Sequence, residues 1–269
     1  MLKNRLIFTL LYNEESYMLS RNFRLQKVGN IEWLKKYYNF YAIAFSIDEL
    51  VVLNVGRGEK NIDKFSRYLT HLSRDIFMPF AAGGGIRSLR DVYKLFNAGI
   101  DKVILNTPFI EQPKLVSSIA KVFGRQAVVA SIDCKKERED YCIYINNGSE
   151  RINLKLEELI KRVEGVGAGE IYLTSIDRDG TGQGYDIELL NRVSSITQLP
   201  VIASGGAGKY EHFVEAIKEG GITAVSTANL YNFMVDGLSK ARKFIQQRGL
   251  ELTTWDYNLE KFHNYFQKR

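Results

Sequence analysis

Short, nearly continuous apolar runs recur along the chain at residues 5–11, 49–54, 79–83, 101–106, 126–133, 170–175, 200–204 and 222–227. Runs of this length without polar alternation read as strands covered on both faces, the pattern of a parallel sheet. Between most of them lie segments with apolar residues at helical spacing. Eight such strand–helix units predict an α/β protein, a closed (β/α)8 barrel, and 269 residues match the roughly 250 that such a barrel needs. We therefore expect one barrel domain over residues 1–269. Two gaps are longer than a helix requires. Residues 12–30 and 134–154 are expected as insertions over the barrel mouth, with Cys142 to Gly148 forming a small hairpin.

Helix boundaries are also written in the pattern. Ser88 before Leu89 and Asp91, and Lys209 after the Gly206 turn, are expected helix starts, and Gly99, Gly124 and Gly220 are expected stops. Residues from Trp255 to Phe266 carry apolar side chains at helical spacing, expected to pack as a last helix or to dock a partner.

The chain repeats itself. Glu49-Leu50-Val51-Val52-Leu53-Asn54 resembles the stretch beginning at Glu170, and Pro79 to Gly85 resembles Pro200 to Gly206; both pairs are 121 residues apart. This predicts two half-barrels. The glycine-rich segments Gly83-Gly84-Gly85 and Gly205-Gly206-Ala207-Gly208 follow strands, where main-chain N–H groups and the next helix N-terminus favour an anion. Two such cradles suit a substrate with two phosphates.

Composition narrows the class. The net charge is +6, but 37 basic and 31 acidic residues are interspersed, which speaks for a solvated surface or a small anionic substrate rather than nucleic acid. Cys134 and Cys142 make no disulfide framework, and three histidines give no metal-ligand spacing, so neither metal nor cofactor is expected. Lys3 and Arg5 precede an apolar run, but Asn13-Glu14-Glu15 follows with no small-residue cleavage site. That run reads as a buried first strand, and a cytoplasmic location without membrane attachment is expected.

Longer motifs sharpen the picture. Gly83-Gly84-Gly85-Ile86, Asp101-Lys102-Val103 with Asn106-Thr107, Phe123-Gly124 with Gln126-Ala127-Val128-Val129, Leu173 to Thr181, and Ile202 to Lys209 occur in an order that resembles the HisF family, the cyclase subunit of imidazole glycerol phosphate synthase. The resemblance runs over almost the whole chain. It implies a TIM barrel on which a HisH-like glutaminase docks from below, ammonia crossing the core, and a bisphosphate cyclised at the top. It further implies phosphate contacts at Gly85, Asn106 and Thr107, and at Asp179, Gly180, Gly206, Ala228 and Asn229, the last standing where the family usually has serine. The family's charged ring at the ammonia gate maps onto Arg5, Glu49, Lys102 and Glu170, and one catalytic aspartate onto Asp133.

Three mouth positions depart from the family. Where it reads Cys-Leu-Asp-Val, this chain reads Thr9-Leu10-Leu11-Tyr12, so Leu11 replaces the other catalytic aspartate. A loop lysine falls at Leu19 and a second-strand aspartate at Asn54. A positioned acid or base contributes roughly 10²–10⁴ in rate, so cyclase activity is expected to be very low unless Tyr12, Glu14 or Glu15 substitutes. The resemblance then implies a HisF-like paralogue of a surface-polysaccharide pathway, passing ammonia towards a sugar amidotransferase that forms an acetamidino group. The alternatives are a genuine cyclase of histidine biosynthesis and a barrel that only binds a phosphosugar.

Overall fold

The computed structural model describes residues 3–38, 43, 45–74, 78–229, 233 and 235–253. The chain-order strands are β1 (Arg5–Asn13), β2 (Ser16–Arg21), β3 (Arg24–Gly29), β4 (Glu49–Asn54), β5 (Phe80–Gly83), β6 (Lys102–Leu105), β7 (Val128–Glu137), β8 (Asp140–Ile145), β9 (Glu150–Ile152), β10 (Glu170–Ser175), β11 (Val201–Ser204) and β12 (Ala224–Thr227). The helices are α1 (Ile31–Tyr37), α2 (Ile62–Ser73), α3 (Leu89–Asn97), α4 (Pro108–Glu111), α5 (Pro113–Phe123), α6 (Leu156–Val166), α7 (Ile187–Ser194), α8 (Tyr210–Glu219) and α9 (Gly237–Gln247).

Strands β1, β4, β5, β6, β7, β10, β11 and β12 pair in parallel, and the β12–β1 and β7–β10 ladders close the ring. This is the expected (β/α)8 barrel. The apolar helix faces cover the outside of the barrel, whereas Ile7, Val51, Ala81, Ile104, Val129, Tyr172, Ile202 and Ala224, one from each barrel strand, form a separate buried cluster. Inward-facing side chains from alternate strands stack in layers that fill the bore, and this cluster is made of them.

The half-barrel repeat is visible in the ladders. Leu50 faces Phe80 in β4–β5, and Ile171 faces Val201 in β10–β11, the same register displaced by 121 residues. Each half also carries its hairpin at the same place, after β1 and after β7. The expected insertion at 12–30 is β2–β3, turned by Asn22 and Phe23, both with positive φ (50° and 62°). The insertion at 134–154 is larger than the hairpin expected there. Strand β7 runs on to Glu137 to pair with β8, and the turn itself is Asn146 to Ser149. The fifth barrel strand also starts later than residue 126, because Arg125–Ala127 makes a 3-10 turn.

Helix signals behave as expected with one exception. Ser88 and Asp91 exchange side-chain and backbone hydrogen bonds in a full capping box, a device worth about 1 kcal/mol. Gly99 and Gly124 end α3 and α5 in left-handed or related conformations, but at the end of α8 Gly220 stays right-handed and Gly221 takes the positive φ. The tail from Trp255 to Phe266 lies outside the described residues. The first strand is buried along its length, as a core strand should be, and both cysteines are free.

Helix α9 is tied to the barrel base by a buried ion pair. Both Arg242 guanidinium nitrogens lie 3.0 Å from the Asp48 carboxylate, whose Oδ2 also accepts the Leu6 N–H at 2.8 Å. No helix among the described residues is long and apolar enough to cross a membrane.

Candidate functional site

At the floor of the barrel, the four charged residues at or beside the strand starts meet in an alternating ring. Arg5 donates to Glu49 at 3.0 Å and to Glu170, while Lys102 donates to Glu49 at 2.9 Å and to Glu170 at 3.0 Å. Glu49 is almost wholly buried, and burial, offset by Lys102, raises its pKa. Its Oε1 makes no hydrogen bond, although Oε2 receives two. A buried carboxylate oxygen without a donor of its own can still accept an N–H.

Above the ring lies the apolar layer, and above that a hydroxyl cluster. The Tyr172 hydroxyl is 2.9 Å from Thr9 Oγ1 and 3.0 Å from Ser226 Oγ, and Ser204 donates to it at 3.0 Å. Thr9 and Ser226 are themselves 2.7 Å apart. The cavity at the mouth opens over this cluster, with a volume of about 810 Å³.

Asp133, from β7, sits in that cavity. Its environment holds the carboxyl pKa at about 7, first through burial and then through the Asp179 charge, against hydrogen bonds from Thr174 and Ser131. Asn106 donates to Asp133 Oδ2 at 3.3 Å and to the Ser131 carbonyl at 3.0 Å. A carboxyl that titrates near neutrality in a cavity suits general acid–base work.

The first expected phosphate cradle is assembled. Gly85, Asn106 and Thr107 all line the cavity, and Thr107 donates to Asn146 Oδ1 at 3.2 Å, linking the cradle to the second hairpin. Lys60, which the sequence reading missed, joins them. Its stem packs on Gly85, its ammonium donates to Asn147 at 3.2 Å, and its pKa falls to about 8 through burial and the neighbouring Arg87. Arg57 and Arg87 also line the cavity. Their positions inside Gly56-Arg57-Gly58 and directly after Gly85-Ile86 were the available signal.

The second expected cradle is more dispersed. Asp179 and Ala228 line the cavity, but Gly180, Gly206 and Asn229 do not. The Asp179 carboxylate accepts from Ser20 Oγ and from the Phe23 N–H, so it anchors the β2–β3 hairpin. A Cβ on Gly180 would lie 1.9 Å from the Ser20 carbonyl, and one on Gly206 2.1 Å from the Gly184 carbonyl; both positions need glycine for close backbone approach. At the start of α8, His212 Nδ1 accepts from the Gly208 and Lys209 N–H groups, at 3.1 and 3.3 Å, and so takes two donors that an anion would otherwise use.

The substituted positions divide. Leu11 and Asn54 line the cavity, Leu11 on the wall and Asn54 accepting from the Gly56 N–H at 3.2 Å. Leu19 packs against the outer core instead. None of the candidate replacements reaches the cavity. Tyr12 is buried outside the bore against Phe65 and Tyr68, with ring centroids 5.1 and 4.5 Å away, and Glu14 and Glu15 are exposed in the β1–β2 turn. Among the described residues no group of three or more histidines, cysteines or carboxylates could hold a metal ion.

Comparison with known proteins fits this geometry. Residues 30–235 match the histidine biosynthesis protein family. A Parasynechococcus marenigrum protein, "Putative imidazole glycerol phosphate synthase subunit hisF2", is 43% identical over 256 residues, 95% of each chain. The chain belongs to the HisF family. Two further HisF proteins, each described as imidazole glycerol phosphate synthase subunit HisF, extend the likeness. That of Pyrobaculum aerophilum is 42% identical over 205 residues, 76% of this chain and 81% of its own, and that of Streptococcus mutans is 35% identical over 255 residues, 94% and 100%. HisF membership accounts for the eight-stranded barrel.

Proposed function

We propose that this chain is a diverged HisF-type subunit that receives ammonia from a HisH-like glutaminase at the floor of the barrel and releases it at the mouth, with little cyclase activity of its own. The final acceptor in this reading is a sugar amidotransferase of surface-glycan biosynthesis, and the complex is cytoplasmic. One observation carries the reading: the floor ring of Arg5, Glu49, Lys102 and Glu170 is complete, whereas Leu11 presents an apolar wall to the cavity that holds Asp133. A buried ring of four charges gives little stability that apolar packing would not match, so its retention favours a role in passage. The unbonded Glu49 Oε1 supports that role, because it leaves an acceptor free within the ring.

A second reading is a working cyclase of histidine biosynthesis, favoured by the Asp133 carboxyl with its pKa of about 7 beside the Gly85 cradle. Turnover separates the two. The purified chain, given the bisphosphate substrate of imidazole glycerol phosphate synthase and a saturating ammonium salt, should form almost no product, and Leu11→Asp should raise the rate, by up to roughly 10²–10⁴ if the new carboxyl is positioned as an acid or base. A native rate of about 1 s⁻¹ or faster would overturn the relay reading in favour of the cyclase.

A further inference from the structure

Tyr172 occupies an unusual place. Its ring belongs to the apolar layer built from all eight barrel strands, and its hydroxyl lies in the cavity floor. From β10 it reaches Thr9 on β1, three strands away around the ring, and so crosses the bore rather than lying along one wall. Ser204 on β11 and Ser226 on β12 complete the contact. The cluster thus stands between the apolar residues of the bore and the mouth cavity, on the side formed by β10, β11, β12 and β1.

We infer that the hydroxyls of Thr9, Tyr172, Ser204 and Ser226 form a transfer site for one small neutral hydrogen-bonding molecule, ammonia, between the apolar bore and the mouth; this rests on the relay reading above. Ammonia has one lone pair and three N–H groups, and rotatable hydroxyls can donate to the first and accept from the others. A hydroxyl–hydroxyl bond exchanged for a hydroxyl–ammonia bond changes the free energy little, so ammonia can take the place of one internal bond at small net cost. No member of the cluster is ionised near neutral pH; burial raises the Tyr172 phenol pKa still further. The cluster therefore offers no acidic group to turn ammonia into ammonium, and the nucleophile arrives uncharged. The apolar layer beneath disfavours the charged form for the same reason.

The test uses the full chain labelled with [13Cζ]tyrosine. Tyr172→Phe keeps the ring and assigns the Tyr172 signal among 15 tyrosines. Ammonium chloride is added in alkaline buffer, where ammonia is largely the free base, and at about pH 6, where it is ammonium. The Tyr172 resonance should move with added ammonia in alkaline buffer, and hardly at all at the lower pH, where almost none of it is the free base. Thr9→Val and Ser204→Ala, assigned independently, should each reduce the movement. A Tyr172 signal that stays still, or moves equally at both pH values, would overturn the inference. The titration needs no partner, so it separates from the relay reading: glutamine-derived ammonia that escapes wholly to solvent in the glutaminase complex would sink the relay alone.

Discussion

The floor and the mouth of this barrel are built from the same eight strands but follow different rules. At the floor, four charges alternate in sign within hydrogen-bonding distance, and each has two partners. At the mouth, the cations Arg57, Lys60 and Arg87 share the cavity with Asp133 and Asp179, while Leu11 and Asn54 occupy positions where charge was expected. The floor is a closed electrostatic unit, and the mouth is an open one in which burial raises the Asp133 carboxyl pKa to about 7 and lowers that of the Lys60 ammonium to about 8. A closed ring tolerates few changes, because any single loss leaves an uncompensated buried charge. An open cavity tolerates substitution and can change its chemistry.

The strongest way to break this contrast is to open the ring. Lys102→Met would leave Glu49 and Glu170 facing Arg5 alone, and urea unfolding should show a loss of about 3 kcal/mol or more. By comparison, Lys240→Met, at an exposed i,i+4 pair with Asp236, should change stability by less than about 1 kcal/mol. Equal effects at the two sites would show that the floor ring is no more coupled than a surface pair.

The mouth should respond to pH instead. Because the folded Asp133 carboxyl has its pKa at about 7, above its ordinary value, the folded state holds a proton that the unfolded chain has released. Its contribution is therefore favourable at low pH and is lost as pH rises from about 4 to 7, with a slope of at most about 1.4 kcal/mol per pH unit. Asp133→Asn should flatten the stability profile in that window, measured by urea midpoints at successive pH values. An unchanged profile would mean that Asp133 is ionised and solvated in the folded protein.

How much of this was legible in the sequence follows the same division. The floor could be read residue by residue, but through the resemblance to the HisF family, whose charged ring maps onto Arg5, Glu49, Lys102 and Glu170; the strand pattern agreed, since each stands at or beside the start of a strand. The repeat at 121 residues gave the ladders β4–β5 and β10–β11 for the same reason: strand spacing is a local, periodic signal. The mouth was harder because it is assembled by loops. Nothing in the order of residues says that Phe23 packs on Gly148, that Ser20 reaches Asp179, or that His212 takes the N–H groups of Gly208 and Lys209. Tyr172 was legible only as an apolar strand residue; its partners lie on β1, β11 and β12, and closure of the ring alone brings them together.

Lys60 offers a smaller and sharper probe of the mouth. Its stem packs on Gly85 and its half-buried ammonium shares the cavity, so Lys60→Met should weaken binding of inorganic phosphate by about tenfold, read by calorimetry at low ionic strength. Arg57→Met, whose guanidinium donates to the Phe23 carbonyl and is exposed, should weaken it less. The reverse order would place the anion at the rim rather than in the cradle.

The smallest effect concerns the hairpin that covers the mouth. Ser20 and the Phe23 N–H both bond Asp179 Oδ2, and Asn22 adds bonds to the Ile176 and Asp177 carbonyls at 2.9 and 3.0 Å. Ser20→Ala removes one of several anchors, so global stability should fall by no more than about 1 kcal/mol. Local opening is a different quantity: the Phe23 amide is released whenever the hairpin tip lifts, and its hydrogen exchange should accelerate while the β10 amides keep their protection. If the Phe23 amide is unaffected, the tip is held by the Phe23 ring against Gly148, and the two hairpins form one unit. If it accelerates together with the β10 amides, the hairpin is part of the barrel's own cooperative core, and the mouth is as closed a structure as the floor.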